Sequence, residues 1–405
     1  MTGEFGTLPK PAKGVADFTV AVPDDDVDEL KQLLKLSKIA GPTYENTQED
    51  RRYGVTQAWL TKARDHWLNE FDWRACEAHI NSFPNFKAAI EHDGETLSVH
   101  FLALFSKKSD AVPVVSIHGW PGSILEYVPQ LGLISREYTP ETLPYHIIIP
   151  SLPGYGFSSG PPVSKDYDVA TATRILNQLM INLGFSTGYV ATGGDIGSGV
   201  ARIMAVRHDE CKAIQINFCP IRNPPEHYPR ESLTEFEKSC VERGETFLQT
   251  GAAYAMEQGT RPSTLGLALN SSPLALLAWV GEKFLAWSDE DPSLNTILQD
   301  VSLYWFTQTI SRSFYPYRQR FEGKLSGSGA ENPELFVKKP FGYQLFPMEL
   351  MPAPKAWAAT TGNLTWFRQH GSGGHFAALE KPAETKRDLE DFLKQLAEEK
   401  VQFGS

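Results

Sequence analysis

The sequence predicts an α/β protein: a mostly parallel central sheet, an inserted helical cap and an N-terminal extension with helices. Three observations predict it. From Phe86 to Phe218, short apolar runs alternate with segments of helical period, as in a parallel sheet covered by helices on both faces. Between about 222 and 338 the alternation stops and the pattern becomes mainly helical. Strand character then resumes at Lys339 to Phe346 and Leu364 to Phe367, and Pro382 to Glu399 closes the chain as a helix. The expected division is an extension over 1–90, a first part of the core over 91–221, the cap over 222–338 and a second part of the core over 339–405.

Each element has a local reason. Asp26 to Ser37 and Gln57 to Phe71 are helical patterns, and a third short helix ends near Phe83-Pro84-Asn85. Phe86 to Glu91 and Thr96 to Phe105 flank His92-Asp93-Gly94, a hairpin signal. Val112 to Ile117 and Tyr145 to Pro150 are largely apolar runs, as expected of strands buried on both faces. Ala170 to Leu183 reads as a helix, Gly188 to Thr192 as a strand, Gly199 to Arg207 as a helix and Lys212 to Phe218 as a strand. In the cap, Leu233 to Thr250, Pro273 to Ala286 and Ile297 to Ile310 are the clearest helices. Ser232, with Glu235 three residues on, reads as a capping box. The piece from Leu325 to Asn332 reads as a flexible loop.

Composition narrows the function. The chain has 405 residues, 41 % hydrophobic and 21 % charged, an ordinary globular profile. Its 38 basic against 49 acidic residues leave a net charge of −11, which argues against nucleic acid and anionic membranes as partners. No apolar run is long enough to span a bilayer, and the N-terminus lacks the basic start and apolar middle of a signal peptide. Cys76, Cys211, Cys219 and Cys240 are far apart without metal spacing, so free thiols in a reducing compartment are expected. The cytoplasm is the default location. No metal and no cofactor is called for.

The run Tyr189 to Ser198 carries the chemistry. A short strand ends at a turn of small residues, Gly193-Gly-Asp-Ile-Gly-Ser198, with Asp195 at its tip. This is the pattern of a nucleophile elbow with aspartate in place of serine. A carboxylate that attacks saturated carbon forms an alkyl ester, which water then cuts at its own carbonyl. Asp195 therefore points to an epoxide or an alkyl halide as the group attacked. The plain alternative is a helix N-cap. Ser198 lacks the glycine two residues before it that an elbow serine needs.

Three further pieces fit that chemistry. His118-Gly-Trp-Pro-Gly122 follows an apolar strand and suits an oxyanion hole, with Gly119 allowing an unusual backbone, the Trp120 N–H as one donor and the Ile196 N–H as the other. His375, in Gly373-Gly-His-Phe376, follows the last strand, so nucleophile, acid and histidine stand in the chain order expected of such a triad. Glu349, just after the strand Lys339 to Phe346, is the natural acid, since no aspartate lies between it and His375. Each has a plain reading as well: a strand-end turn, a surface histidine and an exposed glutamate.

With these residues in view, the chain resembles an epoxide hydrolase of the α/β-hydrolase fold, in the microsomal-type branch and close to its soluble fungal members. The resemblance runs over nearly the whole chain. It rests on Phe71-Asp-Trp-Arg74, the His118 turn, Pro150-Ser-Leu-Pro-Gly-Tyr-Gly-Phe-Ser-Ser159, the Asp195 elbow and Gly373-Gly-His-Phe-Ala-Ala378. It implies two cap tyrosines that bind the epoxide oxygen, Tyr254 and Tyr317, with Tyr315 as the alternative to Tyr317. A protonated phenol suits an alkoxide leaving group, which a halide does not need. At Glu349 the fungal pattern has aspartate and the microsomal one glutamate. The resemblance also implies a small epoxide and water as reactants and a homodimer; the membrane anchor of microsomal members is not expected here. A haloalkane dehalogenase, and a non-catalytic ligand-binding protein of this fold, stand as the alternatives.

Overall fold

The computed structural model describes residues 2–8, 12–321 and 329–403. Among them a single nine-stranded sheet forms the centre. Its strands are β1 (Val15–Asp17), β2 (Asn85–His92), β3 (Glu95–Leu104), β4 (Val112–Ile117), β5 (Tyr145–Pro150), β6 (Tyr189–Gly193), β7 (Cys211–Ile216), β8 (Val337–Leu345) and β9 (Gly362–Gln369). They lie in the order β1-β2-β3-β5-β4-β6-β7-β8-β9. The pairs from β1 to β5 along that edge are antiparallel, and those from β5 through β4 to β9 are parallel. The α/β-hydrolase fold read from the sequence is the fold observed.

The parallel strands β4 and β5 are buried along almost their full length, which is why they read as apolar runs rather than as alternations. The β2–β3 hairpin turns on Asp93 and Gly94, both at positive φ (50° and 81°), as a tight two-residue turn requires. The strand Asn85–His92 runs across residue 90. The extension is thus continuous with the sheet, and its short edge strand β1 is an element that three residues could not announce. The helices Val128–Glu137, Ala253–Thr260, Pro262–Asn270 and Tyr315–Phe321 were also not read from the pattern. Except for the first, these are short segments of the cap. The first cap helix starts two residues later than expected: Thr234 and Glu237, not Ser232 and Glu235, make the reciprocal capping box. Ser232 instead closes a single 3₁₀ turn. Of the expected loop at Leu325 to Asn332, residues 325–328 lie outside the described residues, and Gly329 to Asn332 form a turn. Cys76, Cys211, Cys219 and Cys240 are buried free thiols.

Between β7 and β8 the helices pack over the loops that leave the parallel strands. The helix Leu294–Thr307 docks on the turn after β4 through buried polar contacts. Ser123 Oγ–H donates to Asp300 Oδ1 at 2.5 Å, and the Tyr304 hydroxyl donates to the Gly122 carbonyl at 3.1 Å. The extension grips the same helix from outside, with Trp67 Nε1–H donating to Ser302 Oγ at 3.0 Å. Described helices include none that is long and apolar enough, taken singly, to cross a membrane.

Burial pushes the Asp300 carboxyl up to about 7, against the pull of its bond from Ser123. Its folded value lies above the ordinary 3.8, so the folded protein holds this proton through a window where the unfolded chain has lost it. Stability therefore falls as pH rises from about 4 to about 7 and levels off above. Asp300→Asn does not titrate. Its thermal midpoint, measured against wild type, should gain steadily across that window and then stay constant; parallel curves would contradict the assignment.

Candidate active site

Asp195 sits at the sharpest point of the chain. It is the first residue of the helix Asp195–Arg207 and is held at φ +46°, a left-handed conformation that non-glycine residues seldom adopt. Its neighbours show why they are small. A Cβ on Gly197 would lie 2.1 Å from the Ile117 carbonyl oxygen, and one on Gly193 would lie 2.5 Å from the Gly197 backbone. Ser198 is buried and its hydroxyl donates to the Gly193 carbonyl at 2.8 Å. The helix-cap alternative fails on geometry. Gly194 occupies the cap position, and the Asp195 side chain turns instead to the Trp120 N–H, from which it accepts.

The turn after β4 points one amide at that carboxylate. The Trp120 N–H donates to Asp195 Oδ1 at 2.8 Å. Gly119 is required here by close approach, not by an unusual backbone: its φ is not positive, but a Cβ would lie 2.3 Å from Asp195 Cβ. The Trp120–Pro121 peptide is cis. His118, to which the sequence reading gave no role, pins the turn. Its Nδ1–H donates to the Gly119 carbonyl (2.9 Å), and its Nε2 accepts from the Leu152 N–H (3.0 Å). Burial lowers its pKa to about 4, although Gly119 and Asp195 favour the charged form. It is a neutral structural histidine. Ile196 follows Asp195 on the helix and lines the cavity in front of it.

His375 reaches the other carboxylate oxygen, with Nε2 3.5 Å from Asp195 Oδ2. Its Nδ1 lies 2.5 Å from Glu349 Oε1. Glu349 is wholly buried, not an exposed strand end, and also accepts from the Leu350 N–H at 2.6 Å. The loop that carries His375 is shaped by its glycines. Gly373 has φ +111°, and a Cβ on Gly374 would lie 2.7 Å from the Trp287 carbonyl oxygen. That same carbonyl accepts the His375 N–H at 3.0 Å. Burial opposes a charge on the imidazole, but Glu349 and Asp195 on either side outweigh it and raise its pKa well above the ordinary value. Arg243 is another residue the sequence did not reveal. From the first cap helix it donates to the Met348 and Glu349 carbonyls at 2.9 and 2.7 Å, fixing the bend that presents the acid. No local pattern marks it, because its partners lie about a hundred residues further on.

A cavity of about 150 Å³ opens in front of Asp195 and Ile196. Phe218, Phe247, Leu248 and Met351 make its walls apolar, and Tyr254 and Tyr317 face it from the cap. The two tyrosine rings meet edge to face at 5.7 Å, and Tyr254 stacks on Trp120 at 5.3 Å. Burial first, then Tyr254 and Asp195, hold the Tyr317 phenol well above its usual pKa, so it keeps its proton. Tyr315 is not at this cavity; it packs against Tyr155 and Tyr167. The structure thus brings Asp195, His375, Glu349, Trp120, Ile196, Tyr254 and Tyr317 together and leaves Tyr315 aside.

The fold is that of an α/β hydrolase with an acidic residue at the elbow, and comparison with known proteins agrees on fold and family. The family model described as "Epoxide hydrolase N terminus" matches residues 15–127, and the one described as "alpha/beta hydrolase fold" matches residues 112–322. The epoxide hydrolase of Aspergillus niger is 51 % identical, with a TM-score of 0.91 over 96 % of this chain and 99 % of that one. Epoxide hydrolase 1 of Sus scrofa is 30 % identical over 438 residues, 96 % of this chain and 92 % of that protein. The juvenile hormone epoxide hydrolase of the silkworm Bombyx mori is 25 % identical, with a TM-score of 0.83 over 95 % of each chain. The chain belongs to the epoxide hydrolase family.

Two glycine substitutions separate fold from site. Gly197→Ala forces backbone against backbone and should cost about 3 kcal/mol or more in denaturant unfolding. Gly119→Ala presses on a side chain instead, so it should leave unfolding closer to wild type while removing activity. Equal losses of stability in the two would contradict this account of the elbow.

Proposed function

We propose that the chain converts epoxides to vicinal diols through an alkyl ester of Asp195. The observation that carries this reading is the placement of that carboxylate. One oxygen is held by the Trp120 amide, the other faces His375, and both open on an apolar cavity crossed by two tyrosines. The oxygen not held by Trp120 attacks a ring carbon, and the carbon–oxygen bond breaks. Tyr254 and Tyr317 hydrogen-bond the opening oxygen, which would otherwise leave as an alkoxide. Water then attacks the ester carbonyl with His375 as base, and the Trp120 and Ile196 amides hold the oxyanion. Glu349 orients His375 and stabilises its charged form. In this division the core, 91–221 and 339–405, supplies nucleophile, base and acid, and the cap, 222–338, supplies the tyrosines.

The electrostatics time the two steps. In the resting enzyme, two carboxylates keep a proton on His375. Alkylation removes the charge of Asp195, so that proton is released to the opened oxygen and the imidazole becomes a base when one is needed. Hydrolysis restores the Asp195 carboxylate and leaves the proton on His375. Both steps balance without a cofactor.

A turnover assay with styrene oxide and a haloalkane should give diol from the first and no halide from the second. His375→Gln should still be alkylated, so its intact mass should rise by one epoxide while diol release becomes very slow; an unmodified mass across several good substrates would contradict the covalent route. Tyr254→Phe and Tyr317→Phe should each slow alkylation, by about 2 to 4 kcal/mol of barrier as donors to a developing oxyanion do. Tyr315→Phe should not, and the reverse pattern in single-turnover kinetics would overturn the choice of Tyr317.

A further inference from the structure

The substrate cavity extends well past the nucleophile. Asp195, Gly199 and Ile203 all line it. They stand four residues apart on the helix Asp195–Arg207, so they share one face, and the cavity follows that face for about 12 Å. An epoxide ring needs only the end beside Asp195 and the two tyrosines. Gly199, with no side chain, leaves room one turn further on. The remainder of a substrate therefore lies along this face. Cavities of this kind are mostly apolar and fix their ligand's orientation with a few polar groups.

Gln319 is a polar group of this cavity that the mechanism does not use. It is only 3 % exposed, and it lines the cavity from the helix Tyr315–Phe321. Its Oε1 accepts from the Val169 N–H at 2.9 Å. Val169 opens the helix Val169–Asn182, so its amide is one of the donors that a helix start leaves unpaired. That bond also settles which end of the side chain is which. The oxygen faces the backbone N–H, and the end left over is the nitrogen with its two N–H donors. Nε2 has no hydrogen-bond partner among the described residues. Buried donors are normally paired, by protein, water or ligand. Serving the helix does not explain the choice of an amide. A carboxylate would accept from Val169 more strongly and suit the positive helix end better. What the amide adds is the donor.

We propose that Gln319 is a specificity-determining residue, whose Nε2 donates to a carbonyl oxygen of the substrate, so that the site takes epoxides carrying an ester or ketone along an otherwise apolar chain. The acceptor is neutral, because one amide does not repay the hydration that a carboxylate loses between apolar walls. An ammonium group has no acceptor to offer. In the free enzyme a water takes the place of that oxygen, and binding exchanges one partner for the other. The contact touches no reacting atom. It orients the chain, and with it the ring, before alkylation. The inference rests on reading this cavity as the epoxide site.

The test compares two homologous series in diol formation: 1,2-epoxyalkanes, and methyl esters of terminal epoxy acids matched to them in chain length. Gln319→Glu, assayed at alkaline pH where its carboxyl is ionised, keeps the acceptor for Val169 and removes only the donors. Gln319→Met removes both. In wild type, kcat/KM for the ester should exceed that for the matching alkane by about two- to tenfold at a preferred spacer length. Both variants should lose this advantage while their values for the alkanes stay within about twofold of wild type. No ester advantage at any spacer length in wild type would overturn the proposal, as would an advantage that survives in the variants. An equal fall for esters and alkanes in both variants would mark damage to the helix start and would also overturn it. Arg222 lines the same cavity but is exposed. Loss of the advantage in Arg222→Leu, with the Gln319 variants keeping it, would assign the contact there instead. Should Gln319→Met not fold, Gln319→Glu decides alone by the same criteria. Wild type that forms diol from neither series would instead overturn the reading of the cavity itself.

Discussion

The candidate site depends on one strained residue. Asp195 is held in a left-handed conformation because the helix after it starts directly against β4, with the Gly197 backbone against the Ile117 carbonyl oxygen. That contact leaves no room for a side chain on the helix side of the turn. It pushes the Asp195 carboxylate out, between the Trp120 amide on one side and His375 on the other. Conformations of this kind cost of order 1–3 kcal/mol and persist only where surrounding structure enforces them. Here the sheet enforces it, through β4 and β6 paired in parallel just before the turn.

The other parts are arranged around that point by devices of different range. His118 fixes the Trp120 turn within a few residues, through the Gly119 carbonyl. Glu349 and His375 come from the ends of neighbouring strands β8 and β9, and their two loops are joined by a bridge between Met348 and Gly374. The cap then locks both. Trp287 accepts from the His375 amide, and Arg243 holds the bend at Glu349. The helices between β7 and β8 therefore help frame the candidate site as well as roof the cavity. Tyr254 stacks on Trp120, the residue whose amide faces the carboxylate, and Tyr317 meets the same ring edge to face.

What was legible in the sequence follows the same division by range. The elbow could be read because its steric demand falls on adjacent residues, Gly193, Gly197 and Ser198. The hairpin at Asp93-Gly94 and the buried strands of the core were readable for the same reason. Glu349 and His375 could be found from chain order, since each closes a strand. The choice between Tyr315 and Tyr317 could not, because two residues apart on a short helix they face different neighbours only once the helix is docked. Arg243 and Asp300 gave no signal. Each is a charged residue on a helix that reads as solvated until distant partners bury it. The start of the first cap helix was misplaced by two residues because Ser232 and Thr234 offer the same capping chemistry, and packing chose between them.

The central claim is that Asp195 forms a bond to substrate. A single turnover in ¹⁸O-water with enzyme in excess tests it most directly. If Asp195 attacks the epoxide, the new diol oxygen comes from its carboxylate. The diol of the first turnover is then unlabelled, and the peptide containing Asp195 gains one ¹⁸O. Label in the diol on that first turnover, with none in the peptide, would mean that water attacks the epoxide directly and would contradict the account built on the elbow.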